Sequence, residues 1–252
     1  MKVIRANAHL KTLQEETRAF FDRSPYGVVD DFDPETSRYT FRVAVFESPP
    51  PQWGVIVGDI VHNLSSALEY IAWELVKLNG NEPTEGVTGF PIYESEAVFL
   101  KDGRGERMMQ GIRDDHREHI KSLQPYHRGD RAREDPLALL RRLWNVDKHR
   151  VPLTTLGTRQ TAEWTPVPVR DVEDRFGMVS LAVTGPLEDG TPLGFVEVFP
   201  TGPNPKVQME GGAKADVVFS NPDVAGASVY TSLLAAGHAV SNILTYFVPE
   251  FG

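Results

Sequence analysis

Residues 55–79 constrain the fold of this chain more than any other stretch. At about 100° per residue, Ile60, Leu64, Ala67, Leu68, Ile71 and Leu75 line one side of a helix. Asp59, His62, Asn63, Ser66, Tyr70 and Trp73 line the other. The first side demands burial. The second is polar but barely charged, unlike a solvent face rich in Lys and Glu, and suits contact with another helix, a subunit or a ligand. A helix with these two sides needs further helices around it. Residues 224–247 supply one, because Val229, Leu233, Ala236, Val240, Ile243 and Phe247 form a second apolar stripe. Residues 5–22 supply another through Leu10, Leu13, Phe20 and Phe21, and SPYG stops it.

The segments between these helices differ in period. GVVDDF and RYTFRVAVF flank DPETS, and Tyr39, Phe41, Val43 and Val45 alternate, so residues 27–47 read as a hairpin. The acidic run Asp30, Asp31, Asp33, Glu35 lacks calcium-loop spacing and its proline suits a turn. Residues 79–91 form a loop, and residues 109–123 read as a helix ended by QPYHRGD. Asp135 and Pro136 have the form of an N-cap followed by a first-turn proline, opening a helix over 136–150. From 151 to 220 the period falls to two. VSLAVT, GFVEVF and ADVVF read as strands, with EDGT as a tight turn. The expectation is an α+β chain, mainly a helical bundle, with an N-terminal β-hairpin and a β-rich insertion before the C-terminal helix. Residues 1–150 and 221–252 make the bundle, and 151–220 the insertion.

The chain has 252 residues, enough for a sizeable core in one domain or a domain with an embedded subdomain. It has no cysteine, which excludes disulfides, zinc–thiolate centres and cysteine nucleophiles. Its apolar runs are too short to span a bilayer, and its first residues lack an apolar signal core, so a cytoplasmic location without a membrane partner is expected. The net charge is −9, which disfavours a broad nucleic-acid footprint. The charge is uneven, however. Residues 101–150 hold 13 basic against 9 acidic side chains, while the remainder holds 13 against 26. Four of the seven histidines fall in the same window. It can meet a phosphate backbone, or it can be a salt-bridged surface.

Within that window stands LLRRLWNVDKHR, residues 139–150. On a wheel, Leu137, Leu139, Leu140, Leu143, Trp144 and Val146 cover one half, and Arg142, Asn145 and His149 the other. Arg142 and His149 project about 20° apart. Asp147 falls inside the apolar half and needs a partner or a proton there. A neutral His beside an Arg suits RNA cleavage without metal: the His takes the 2′-hydroxyl proton and the guanidinium stabilises the phosphorane. His149 would act as base or acid, Arg142 as anion stabiliser and Asn145 as an orienting group. Equally, these residues can be solvated or structural.

GDIVHNLSSALEYIAWELV at 58–76, QPY at 124–126 and PLALLRRLWNVDKHR at 136–150 resemble an uncharacterised bacterial protein family. Its helical part looks like the HEPN superfamily (higher eukaryote and prokaryote nucleotide-binding). The resemblance covers about residues 1–150 and the last helix. It implies a helical bundle, often a homodimer, that is either a metal-independent ribonuclease of toxin or defence type or a non-catalytic binding or dimerisation module. The family's catalytic signature is Arg, four to six residues, then His, which Arg142 and His149 match with six between them. Leu143 follows the Arg where a polar residue is common, and Ser65 and Tyr70 stand where relatives carry Arg and His. In the non-catalytic alternative, Asp59, His62, Asn63 and Asp147 form a structural polar core or interface. A third alternative binds a metal through His9, His62, His149 and His238, with Asp59-x-x-His62 as two ligands. No Gly-rich phosphate loop or Ser-His-Asp order is present, and no cofactor is expected.

Overall fold

The computed structural model describes residues 1–148, 152, 154–158, 163–173, 185–203, 205–212 and 215–251. It is an α+β fold. Helix α1 (Lys2–Phe21) is followed by β1 (Tyr26–Asp33) and β2 (Arg38–Val45), then by the long helix α2 (Gln52–Leu78). Short helices α3 (Glu96–Leu100), α4 (Arg104–Met108) and α5 (Asp114–Ser122) lead to α6 (Pro136–Asp147). The strands β3 (Thr154–Thr158), β4 (Glu163–Arg170), β5 (Gly185–Pro186), β6 (Pro192–Glu197), β7 (Lys206–Gly212) and β8 (Ala215–Phe219) precede the last helix, α7 (Val229–Phe247).

The apolar stripe of α2 is buried as its period demands. Ile60, Leu64, Leu68, Ile71 and Leu75 all lie in the core, and α2 packs against α1, α6 and α7. The last helix does return to the bundle: Val229, Leu233, Ala236, Val240, Ile243 and Phe247 are buried, and Ser228 caps its first turn by accepting from the Thr231 amide. Burying five or six such side chains stabilises by roughly 8–15 kcal/mol before chain entropy is charged. Helix α2 starts earlier than its apolar period suggests, because Trp53 is buried edge-on to Phe20 with ring centroids 5.3 Å apart. The Trp53 indole also donates to Glu16 at 2.7 Å.

The hairpin is present, with Tyr26 opposite Val45 and Asp33 opposite Arg38. Asp33 closes its turn by accepting from the Glu35 amide and the Thr36 hydroxyl, so this acidic run serves the turn. The hairpin is extended by β6, which pairs antiparallel with β2 and makes a three-stranded sheet. The other described strands form a β5-β3-β8 sheet and a β4-β7 pair. EDGT does turn tightly before β6, with Gly190 at φ +78° and the Thr191 amide donating to Glu188. Residues 179–184, the expected VSLAVT strand, lie outside the described residues.

QPY has a structural task. Gln124 is buried, and its side chain donates to the Pro91 and Ile120 carbonyls while accepting from the Tyr93 amide. The Tyr126 amide then donates to the Tyr93 carbonyl. This clamps the segment around Tyr93 between α5 and α6. Gly111 takes φ +88°, a conformation that an interrupted helix requires, and α5 begins only at Asp114. No helix among the described residues is long and apolar enough to cross a membrane.

Candidate functional site

Helix α6 begins as its sequence demands, with Asp135 accepting from the Leu137 amide at 2.8 Å and Pro136 in the first turn. This start sets where its side chains point. Arg142 points into the fold. Its guanidinium donates to Glu94 at 2.5 Å and to the Arg133 carbonyl at 2.5 Å, and only 15% of its side chain is exposed. Glu94 is there because Gln124 holds the preceding residue. Asn145, three residues on, is exposed and lines a different surface. His149 lies outside the described residues. Arg142 and Asn145 are therefore not convergent, and Arg142 already has an anionic partner.

Asp147 is half-buried against Gly58 of α2, where a glycine leaves room for the carboxylate. Burial pushes its carboxyl above the usual range; His62 pulls it down and Asp59 pushes it further up. His62 is exposed at the same seam. Its ring lies 5.4 Å from that of Trp144, and its Nε2 is 3.5 Å from the Ser66 hydroxyl. Asn63 is buried and donates to the Asp59 carbonyl at 2.7 Å. The polar side of α2 thus divides. Asp59 and His62 meet Asp147 at the α6 seam, while Asn63 and Tyr70 line a groove beside α1. Trp73 belongs to neither, since its indole donates to the Thr88 carbonyl.

Sequence reasoning missed a basic cleft on the other side of α6. A cavity of about 520 Å3 is lined by Lys101, Asp102, Arg104, Arg107 and Arg141 against Tyr93. Arg141 lies over the Tyr93 ring, 4.7 Å from its centroid. The wall formed by Tyr93, Arg104 and Arg141 is shared with a second cavity of about 220 Å3, where Ser65, Glu69, Trp144, Asn145 and Lys148 meet. Glu69 is exposed as a residue, but its carboxylate tucks over Gly89, and this burial pushes it up while Lys148 and the Phe90 backbone pull it down. Lys148 itself stands 4.7 Å from the Trp144 ring centre.

The pairing of the basic side chains separates the cleft from its surroundings. Arg113, Arg117, Lys121, Arg128, Arg133 and Arg142 each face a carboxylate. Among the described residues of the basic window, Lys101, Arg104, Arg107 and Arg141 form no ion pair, nor do Lys148 in the adjoining cavity and Arg131, which lines neither cavity; what distinguishes the four is that they share one cavity. The available signal was the basic bias of residues 101–150. It did not show which cations are already neutralised.

A third surface is apolar. Met1, Ile4, Ala67, Tyr70 and Ile71 line a groove of about 960 Å3 between α1 and α2, with Ile4 and Tyr70 more than half exposed. Among the described residues no three His, Asp or Glu side chains come together as a metal site. No family model matches this chain, and neither a curated protein nor a solved structure matches it.

Proposed function

We propose that the chain is a HEPN-like RNA-binding module whose binding surface is the basic cleft between α4, α6 and the segment around Tyr93. The observation that carries this is the set of four cations, Lys101, Arg104, Arg107 and Arg141, that lack an acidic partner among the described residues and share one cavity. Unneutralised cations in a concave site raise the local concentration of polyanions and accept phosphate oxygens. In the adjoining cavity Ser65, Glu69 and Asn145 offer polar groups suited to a 2′-hydroxyl, which distinguishes RNA from DNA. A cytoplasmic location fits such a ligand.

Binding is preferred to cleavage because catalysis would ask Arg142 to leave Glu94 to meet a phosphorane. A homodimer belongs to the same proposal, with the apolar groove at Ile4 and Tyr70 as its interface; a Tyr70→Lys variant that stays dimeric in light scattering would remove that interface. The RNA reading is tested by fluorescence anisotropy with a labelled single-stranded RNA and DNA of one sequence. Wild type binds RNA more tightly, and a Lys101→Gln, Arg104→Gln double variant loses about tenfold or more. Equal binding by the variant removes the cleft from the account. Cleavage of the RNA by wild type, lost in His149→Ala, would restore the enzyme reading.

A further inference from the structure

We infer that the basic cleft selects the phosphomonoester at the end of an RNA strand over the phosphodiesters within it. The inference rests on the RNA-binding reading and deepens it. Four cations and one carboxylate, that of Asp102, face the cavity. Its net charge far exceeds the single negative charge of an internal phosphodiester. A terminal phosphate monoester carries about −1.5 to −2 near neutral pH and three strong acceptor oxygens.

The shape agrees with the charge. A groove that tracks a strand distributes its cations along a path several nucleotides long. Here they converge on a cavity of about 520 Å3, the scale of a pocket that encloses one small ligand. Two of the guanidinium groups are held in place before any ligand arrives. Arg141 is laid over Tyr93, which is itself fixed through Gln124. Arg107 donates one N–H to the Asp102 carbonyl at 2.6 Å, which orients the rest of its fork. Preorganised forks accept a phosphate with little ordering cost.

The ligand group is therefore a phosphate monoester on a ribose, which occurs at a strand end and also on a free ribose phosphate. The test uses one RNA of about ten nucleotides in three forms: 5′-phosphorylated, 3′-phosphorylated, and hydroxyl at both ends. Ribose 5-phosphate and inorganic phosphate serve as competitors. At least one phosphorylated form is expected to bind wild type about tenfold or more tightly than the hydroxyl form, with that preference falling to near equality in Lys101→Gln, Arg104→Gln. Both substituted residues are exposed, and thermal melting checks that the variant remains folded. Three forms binding alike would overturn the end preference while leaving RNA binding intact. Binding of ribose 5-phosphate without any of the oligonucleotides would overturn RNA as the carrier. No binding by any probe would overturn both.

Discussion

Replacing Arg142 by alanine removes two charge-assisted hydrogen bonds at once, to Glu94 and to the Arg133 carbonyl. The side chain is 15% exposed and that of Glu94 is 28% exposed, so water replaces the lost contacts only in part. Glu94 would keep Arg133, 3.9 Å away, as its remaining ion-pair partner among the described residues. Breaking a fully buried pair costs about 3–5 kcal/mol. The partial exposure of Glu94 lowers this to about 2–3 kcal/mol. For a chain of this length each kcal/mol moves the melting temperature by about 2–4 °C, so Arg142→Ala should melt about 4–12 °C below wild type. The assay is calorimetry at neutral pH on wild type, Arg142→Ala, Glu94→Gln and the double variant. The two losses should fall short of additivity by about 1–2 kcal/mol, because each single change already breaks the same pair. A melting temperature within about a degree of wild type would refute the reasoning. It would mean that Arg142 is free in solution and available to a substrate.

Asp147→Asn tests the seam between α2 and α6. The folded protein holds the Asp147 proton more tightly than the unfolded chain, so the carboxyl makes the fold less stable as pH rises from the usual carboxylate value through the raised one. The urea midpoint of Asp147→Asn should therefore gain on wild type as pH rises above the ordinary carboxylate value of about 4, and a constant or shrinking difference would count against a desolvated carboxylate. Gly58→Ala would push a methyl group into the Asp147 carboxylate and should cost about 1–3 kcal/mol, most of it recovered in an Asp147→Ala background. Independent, additive losses would mean that the two groups do not touch. Burial pushes the Glu106 carboxyl up, but its hydrogen bonds from Lys121 and Arg117 outweigh this and hold it below the usual range. Its contribution is complete above that range and is lost as pH falls through the folded value, so the penalty of Glu106→Gln, about 1 kcal/mol, should vanish in strong acid.

What was legible in the sequence is what local chemistry determines. The stripes on α2 and α7, the Asp135–Pro136 start of α6 and the Asp33 turn each depend on residues within a few positions of one another. The β character of residues 151–220 was legible from its period at β6 and β8, but β3, β4 and β7 fall outside the stretches that period picks out, and the pairing of β6 with β2 joins segments far apart in the chain. The same limit explains Arg142. A helical wheel places it on a polar face, yet its partner Glu94 lies 48 residues away and arrives through the Gln124 clamp. QPY stands out in the sequence without showing its task, because that task is to satisfy backbone groups of another segment. The basic window was visible as composition. Which of its cations remain unneutralised is a property of the packed structure, and so the cleft at Arg104 and Arg141 was missed.

The salt dependence of RNA binding tests the central claim most directly. Each phosphate neutralised on a single strand contributes about −0.7 to the slope of log affinity against log salt. A cleft whose cations converge on one terminal phosphate monoester of charge about −1.5 to −2 therefore predicts a slope of about −0.7 to −1.4 for wild type on a phosphorylated RNA, made shallower when Lys101 and Arg104 are both replaced by glutamine. A flat salt dependence, or a slope unchanged by that double substitution, would contradict the account.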